Sequence, residues 1–162
     1  MKNLIIIRHA KSSWEKPLLD RDRGLLSRGI NDARLVANSF LKDLPQKMGI
    51  YCSPARRAKD TAGIFMASFS RPIETIIFKE ELYTFNGSQL EKCIKSFNDD
   101  YDNVILFGHN EAITNFVNKF GDVFIDNVPT SGLVSILFDC NNWKTISKGK
   151  TQQVVFPRDF KL

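Results

Sequence analysis

The chain predicts an α/β fold, a three-layer α/β/α sandwich around a mostly parallel central sheet. Three observations lead there. Short apolar runs alternate with segments of helical period along most of the 162 residues. The first run, "LIIIR" at 4–8, is too uniformly apolar to keep one face in water, so it belongs at the centre of a sheet covered on both sides. Residues capable of chemistry follow the apolar runs instead of interrupting them, as expected where ligands bind beyond the carboxyl ends of parallel strands.

The elements follow in order. After the strand at 4–8, Ile30, Ala33, Ala37, Phe40 and Leu41 recur at helical spacing, and "GIYCS" at 49–53 reads as a second strand. Ala58, Ala62, Phe65, Met66 and Phe69 form the next helical stripe, and "ETIIF" at 74–78 a third strand. Leu90, Cys93, Ile94 and Phe97 fall at offsets of a short helix, "NVILFGH" at 103–109 is a fourth strand, and Ile113, Phe116, Val117 and Phe120 make the last clear stripe. "LVSILF" at 133–138 is a fifth strand, with an antiparallel sixth expected near 143–148. No repeat, linker or low-complexity segment divides the chain, so a single domain over 1–162 is expected, enough to bury about 70% of the surface exposed on unfolding.

Composition narrows the function. Hydrophobic residues make up 43% and charged residues 25%, and no apolar run approaches the ~20 residues needed to cross a bilayer, so a soluble protein without a membrane partner is expected. The opening "MKNLIIIRHAKSS" has too short an apolar run for a secretory signal, which predicts a cytoplasmic location. Cys52, Cys93 and Cys140 are odd in number and lack metal-ligand spacing, and read as core thiols. The net charge of +5 is spread along the chain, which argues against nucleic acid and for attraction of a small anion or anionic substrate.

The chain contains two histidines, and both directly follow an apolar strand at the same predicted edge: His9 after "LIIIR" and His109 in "LFGHNE". The second strand leads into "SPARRAKDTA", which places arginines in the first turn of a helix at that edge. Two histidines without an acidic or thiol third ligand make a weak zinc site. Arginine's planar fork, by contrast, suits phosphate oxygens, and a neutral imidazole can attack phosphorus near neutral pH to form a phospho-histidine. Guanidinium and imidazolium groups then supply the positive charge, so neither metal nor cofactor is expected.

The triplet Arg8-His9-Ala10 resembles the Arg-His-Gly signature of the histidine phosphatase superfamily, which includes the cofactor-dependent phosphoglycerate mutases. "RHAKSSW" at 8–14, "DRDRGLLSRG" at 20–29, "SPARRAKDTA" at 53–62 and "GHNEA" at 108–112 are together similar to its small phosphohistidine phosphatase branch, called SixA. The resemblance implies a phosphoglycerate mutase-like fold with His9 as nucleophile, Arg8 and Arg57 as phosphate clamps and His109 as the second pocket histidine. Arg57 matches the family arginine because it stands four residues after Ser53, and Arg56 should point elsewhere. Ser12 and Ser13, just past the nucleophile, and Thr130-Ser131-Gly132, ahead of the fifth strand, are further candidates to contact phosphate, with capping and turn roles open to each.

The likeness also has gaps. Larger relatives carry a glutamate where Thr84 stands, and another branch an aspartate where Asn110 stands. Glu81 is close enough in sequence to substitute, but reads as a solvated carboxylate, and Asp20 and Asp22 as structural residues of a loop near the pocket. A missing acid suits a good leaving group: phosphohistidine departs as neutral imidazole when its other ring nitrogen is protonated. The expected activity is therefore metal-independent hydrolysis of phosphohistidine in a signalling or phosphotransfer protein. A phosphatase of small phosphate esters and a phosphate-binding module without turnover are the alternatives.

Overall fold

The computed structural model describes every residue except Lys16 and Leu162. Six strands form one mixed sheet: β1 (Lys2–Arg8), β2 (Gly49–Cys52), β3 (Ile76–Phe78), β4 (Asn103–Gly108), β5 (Leu133–Phe138) and β6 (Lys150–Val155), in the order β3-β2-β4-β1-β5-β6. The first four run parallel, while β5 lies antiparallel to β1 and β6 antiparallel to β5. Four helices, α1 (Ser27–Phe40), α2 (Arg56–Phe69), α3 (Gly87–Ile94) and α4 (Ala112–Phe120), complete three layers.

Strand alternation divides the core. Along β1, Leu4 and Ile6 pack with residues of α3 and α4, whereas Ile5 and Ile7 pack with residues of α1 and α2. All four are fully buried, which is why this run shows no polar alternation. At about 1.5–3 kcal/mol for each buried aliphatic side chain, β1 alone contributes several kcal/mol of hydrophobic stabilisation, which makes it the axis of the fold. Among the described residues no helix is long and apolar enough to cross a membrane.

Several expectations shift in detail. The core face of α1 is Ala33, Val36, Ala37 and Phe40, and Leu41 is 44% exposed, so the stripe lies one step round from the predicted one. Phe97 lies beyond the end of α3 and stacks on Tyr51 with ring centroids 4.2 Å apart. The sixth strand runs over 150–155 and not near 143–148. There, Trp143 and Ile146 are both buried at a spacing of three around a 3-10 turn, an anchor for the core whose period is that of the turn and not the two of a strand. Cys52 and Cys93 are buried as expected, and Cys140 is half-buried against the core.

Register brings the chemistry together. Arg8 pairs with Gly108 across β1 and β4, so His9 and His109 emerge one residue further on, from adjacent parallel strands. Cys52 pairs with Phe107, which sets Ser53 and the start of α2 beside them. Because β5 runs the opposite way, its N-terminal end, preceded by Thr130-Ser131-Gly132, lies at the same edge: Ile7 pairs with Leu133.

Candidate active site

At that edge lies a cavity of roughly 1090 Å³, lined by Arg8, His9, Ser12, Asp20, Arg23 and Arg57 and flanked by the rings of Trp14 and Phe85. His9 forms its floor and is 8% exposed. Its Nδ1 is 2.7 Å from the carbonyl oxygen of Ala10, which can only accept, so Nδ1 carries the proton and Nε2 keeps its lone pair. Arg57 Nε donates towards that lone pair at 3.4 Å. Burial, reinforced by the nearby Arg57 and Arg8 charges, lowers the His9 pKa to about 4 despite the Ala10 contact, so the imidazole is neutral at pH 7.

Arg57 is 2% exposed and enters from the first turn of α2. It donates from Nη1 to the Asp20 carbonyl at 2.7 Å and from Nη2 to the Asp20 carboxylate at 3.0 Å. Arg56 points away, to Asp60 at 3.3 Å on the outer face, as expected. Arg8 donates from Nη1 to the Val128 carbonyl at 2.9 Å.

His109 is buried at 1% exposure, its ring centroid 5.3 Å from that of His9 and beneath the rings of Tyr83 and Phe85. Burial, then the charges of its neighbours, lowers its pKa to about 3. The expected imidazolium charge is therefore not supplied by His109, which burial, with the charges of its neighbours, keeps neutral at pH 7.

Asp20 matters more than its loop position suggested. Burial alone would raise its pKa, but hydrogen bonds from Tyr83 and Arg57 outweigh that and bring it to about 2, so it remains a carboxylate. It also receives Arg23 at 3.1 Å, and Arg23 donates to Ser12 Oγ at 2.6 Å, so the candidate Ser12 reaches the cavity already engaged through its oxygen lone pairs. Asp20, Arg23, Tyr83 and Ser53 were not assigned to the site from sequence. The signal for the first two was "DRDRG" itself, with alternating charges in a loop ahead of a helix.

The absent acids are accounted for. Thr84 Oγ1 donates to Gln89 Oε1 at 2.5 Å and accepts the Asn86 N–H, bracing the entry to α3. Asn110 Oδ1 accepts from the Thr114 N–H and hydroxyl at the start of α4, although its side chain also lines the cavity. Glu81 is exposed and outside the cavity lining, in keeping with a solvated role. The carboxylates of the lining are Asp20 and Glu15.

A family model described as the histidine phosphatase superfamily (branch 1) matches residues 4–124. The chain belongs to that superfamily. An uncharacterized protein of Mycobacterium leprae (strain TN) is 24% identical over 163 residues, covering 93% of this chain and 98% of its own. Among solved structures, the protein histidine phosphatase SixA complexed with tungstate superposes with a TM-score of 0.81 at 18% identity, covering 98% and 99% of the two chains. A provisional SixA phosphohistidine phosphatase from Agrobacterium tumefaciens gives 0.75 at 22% identity over 95% and 97%. A mycobacterial glucosyl-3-phosphoglycerate phosphatase gives 0.67 at 10% identity over 93% and 97%. These likenesses establish the phosphoglycerate mutase-like fold, and membership of the superfamily makes the protein a phosphatase-type hydrolase.

Proposed function

We propose that the protein is a metal-independent phosphatase that forms a phospho-histidine on His9, with phosphohistidine in a signalling or phosphotransfer protein of the cytoplasm as its substrate. One observation carries this reading. Among the described residues, the buried side-chain polar atoms without a hydrogen-bond partner are Arg8 Nε, His109 Nδ1 and Ser131 Oγ. All three belong to residues that adjoin His9: Arg8 precedes it, the His109 ring stands beside its ring, and the Ser131 N–H donates to the His9 carbonyl at 3.1 Å. Leaving a buried polar group unpaired costs about 1–3 kcal/mol, so a cluster of three marks a place built for a ligand with several acceptor oxygens. A phosphoryl group is such a ligand.

In this scheme His9 Nε2 attacks phosphorus in line with the leaving group while Arg8 and Arg57 bind the remaining oxygens. Positive charge around the cavity stabilises the charge that develops there, as phosphoryl transfer requires. A phosphohistidine leaves as neutral imidazole once its other nitrogen is protonated, so Asp20, held as a carboxylate, need not act as an acid. Water then hydrolyses the His9–phosphorus bond. The second reading, hydrolysis of small phosphate esters, is favoured by Glu15, a carboxyl side chain that lines the cavity and would take the place of general acid in that reaction.

The test is phosphate release, in chelator, from a phosphohistidine protein and from p-nitrophenyl phosphate, with wild type and His9→Ala. Release that favours the protein and is lost in His9→Ala with the fold intact is the expected result. Preference for the ester, reduced by Glu15→Gln, would select the second reading. Phosphate binding without release from either compound would make the protein a binding module.

A further inference from the structure

The second histidine has a partner whose hydrogen-bonding arithmetic decides how it can act. His109 Nε2 lies 2.8 Å from Ser53 Oγ, and that oxygen already accepts the Ala55 N–H at 3.2 Å. Ser53 is fully buried, and the Ala55 N–H can only donate. The hydroxyl proton therefore has one acceptor among the described residues, His109 Nε2.

We infer that Ser53 is a positioning residue: by donating to Nε2 it fixes neutral His109 with its proton on Nδ1, so that His109 serves the phosphoryl group as an uncharged N–H donor. This rests on the phosphatase reading above. The opposite tautomer is disfavoured by counting. With the proton on Nε2, Ser53 Oγ–H would be buried without an acceptor, and the bare Nδ1 would be a second unmet group. It would also offer a lone pair to an incoming anion. With the proton on Nδ1, the His109–Ser53 pair leaves one donor unmet, Nδ1–H, which a phosphoryl oxygen would meet. His9 reaches the same tautomer by a different route, since its Nδ1 proton goes to the Ala10 carbonyl and its bare Nε2 becomes the nucleophile. Two chemically identical rings 5.3 Å apart thus take opposite roles, nucleophile and donor, because one nitrogen of each is committed to the protein.

The experiment is nitrogen NMR of protein labelled with 15N-histidine, at neutral pH, alone and with orthovanadate. With two histidines in the chain, His9→Gln assigns the signals. The expected spectrum shows His109 with a protonated Nδ1 and a bare Nε2; a proton on Nε2, or on both nitrogens, in the unliganded protein overturns the inference whatever the protein hydrolyses. In Ser53→Ala the tautomer preference should be lost and kcat/KM should fall about 100-fold, the lower end of what removal of one oriented donor costs, with Ser53→Thr restoring both. Unchanged activity in a folded Ser53→Ala protein would overturn it too. Absence of turnover in wild type would count against the phosphatase reading alone, since the spectrum needs no substrate.

Discussion

Acidification should destabilise this protein through its two active-site histidines before its carboxylates respond. In an unfolded chain both rings titrate near the ordinary histidine value of 6.5, whereas in the fold His9 is lowered to about 4 and His109 to about 3 by burial and nearby charge. Both folded values lie below the unfolded one, so between them the unfolded chain binds more protons and stability falls as pH falls. The contribution is complete above the unfolded value and is lost progressively down towards the folded ones. Integrating over the interval from about pH 7.5 to about pH 5 gives roughly 2 kcal/mol for each ring, or up to about 4 kcal/mol for both. Asp20, brought to about 2, contributes in the same direction but at lower pH, between the ordinary carboxylate value and its own. Urea unfolding at a series of pH values would measure the slope, and His9→Gln should remove about half of it. A wild-type stability that is flat across this interval, or a His9→Gln slope equal to wild type, would refute the idea that the rings are held neutral by burial.

Three further outcomes are expected. Arg57→Ala should weaken vanadate inhibition and lower kcat/KM by about two to three orders of magnitude in a steady-state assay, because it removes a charged donor from the cavity; unaltered inhibition would remove Arg57 from the phosphate clamp. Gly29→Ala would put a Cβ 2.5 Å from the Lys11 carbonyl oxygen, a backbone atom that cannot swing aside, so α1 must shift from the loop that follows His9. Thermal unfolding should show a loss on the order of 1–3 kcal/mol, as for overpacking. Lys2, fully buried, donates to the Asp99 carbonyl at 2.7 Å and the Asp102 carboxylate at 3.0 Å. Lys2→Met should cost about 1–3 kcal/mol in denaturant unfolding without altering the KM for phosphate esters, since it lies at the far end of β1 from His9.

What the amino-acid sequence determined by itself is local in its physics. Burial on both faces of a strand needs an unbroken apolar run, so β1 and β4 are visible in "LIIIR" and "NVILFG", and with them the shared edge that receives Arg8, His9 and His109. Helical spacing similarly exposed α2, while the choice of Arg57 over Arg56 came from the resemblance of "SPARRAKDTA" to the superfamily pattern, and the structure buries Arg57. The tertiary structure alone decided what depends on contacts between distant segments. The reversed direction of β5, which brings Ser131 to His9, comes from pairing with β1, and pairing direction leaves no mark on a fully buried strand. The edge strand β6 alternates in burial, but its residues "KTQQVV" are too polar to show that in sequence, so the apolar Trp143 and Ile146 ahead of it drew the expected strand away from it. Asp20, Tyr83 and Ser53 belong to loops whose residue types suit turns and caps anywhere. Their role arises because the packed sheet edge brings Asp20 to the buried Arg57 and Ser53 to the buried His109, where hydrogen bonds that are ordinary at a surface control charge and tautomer.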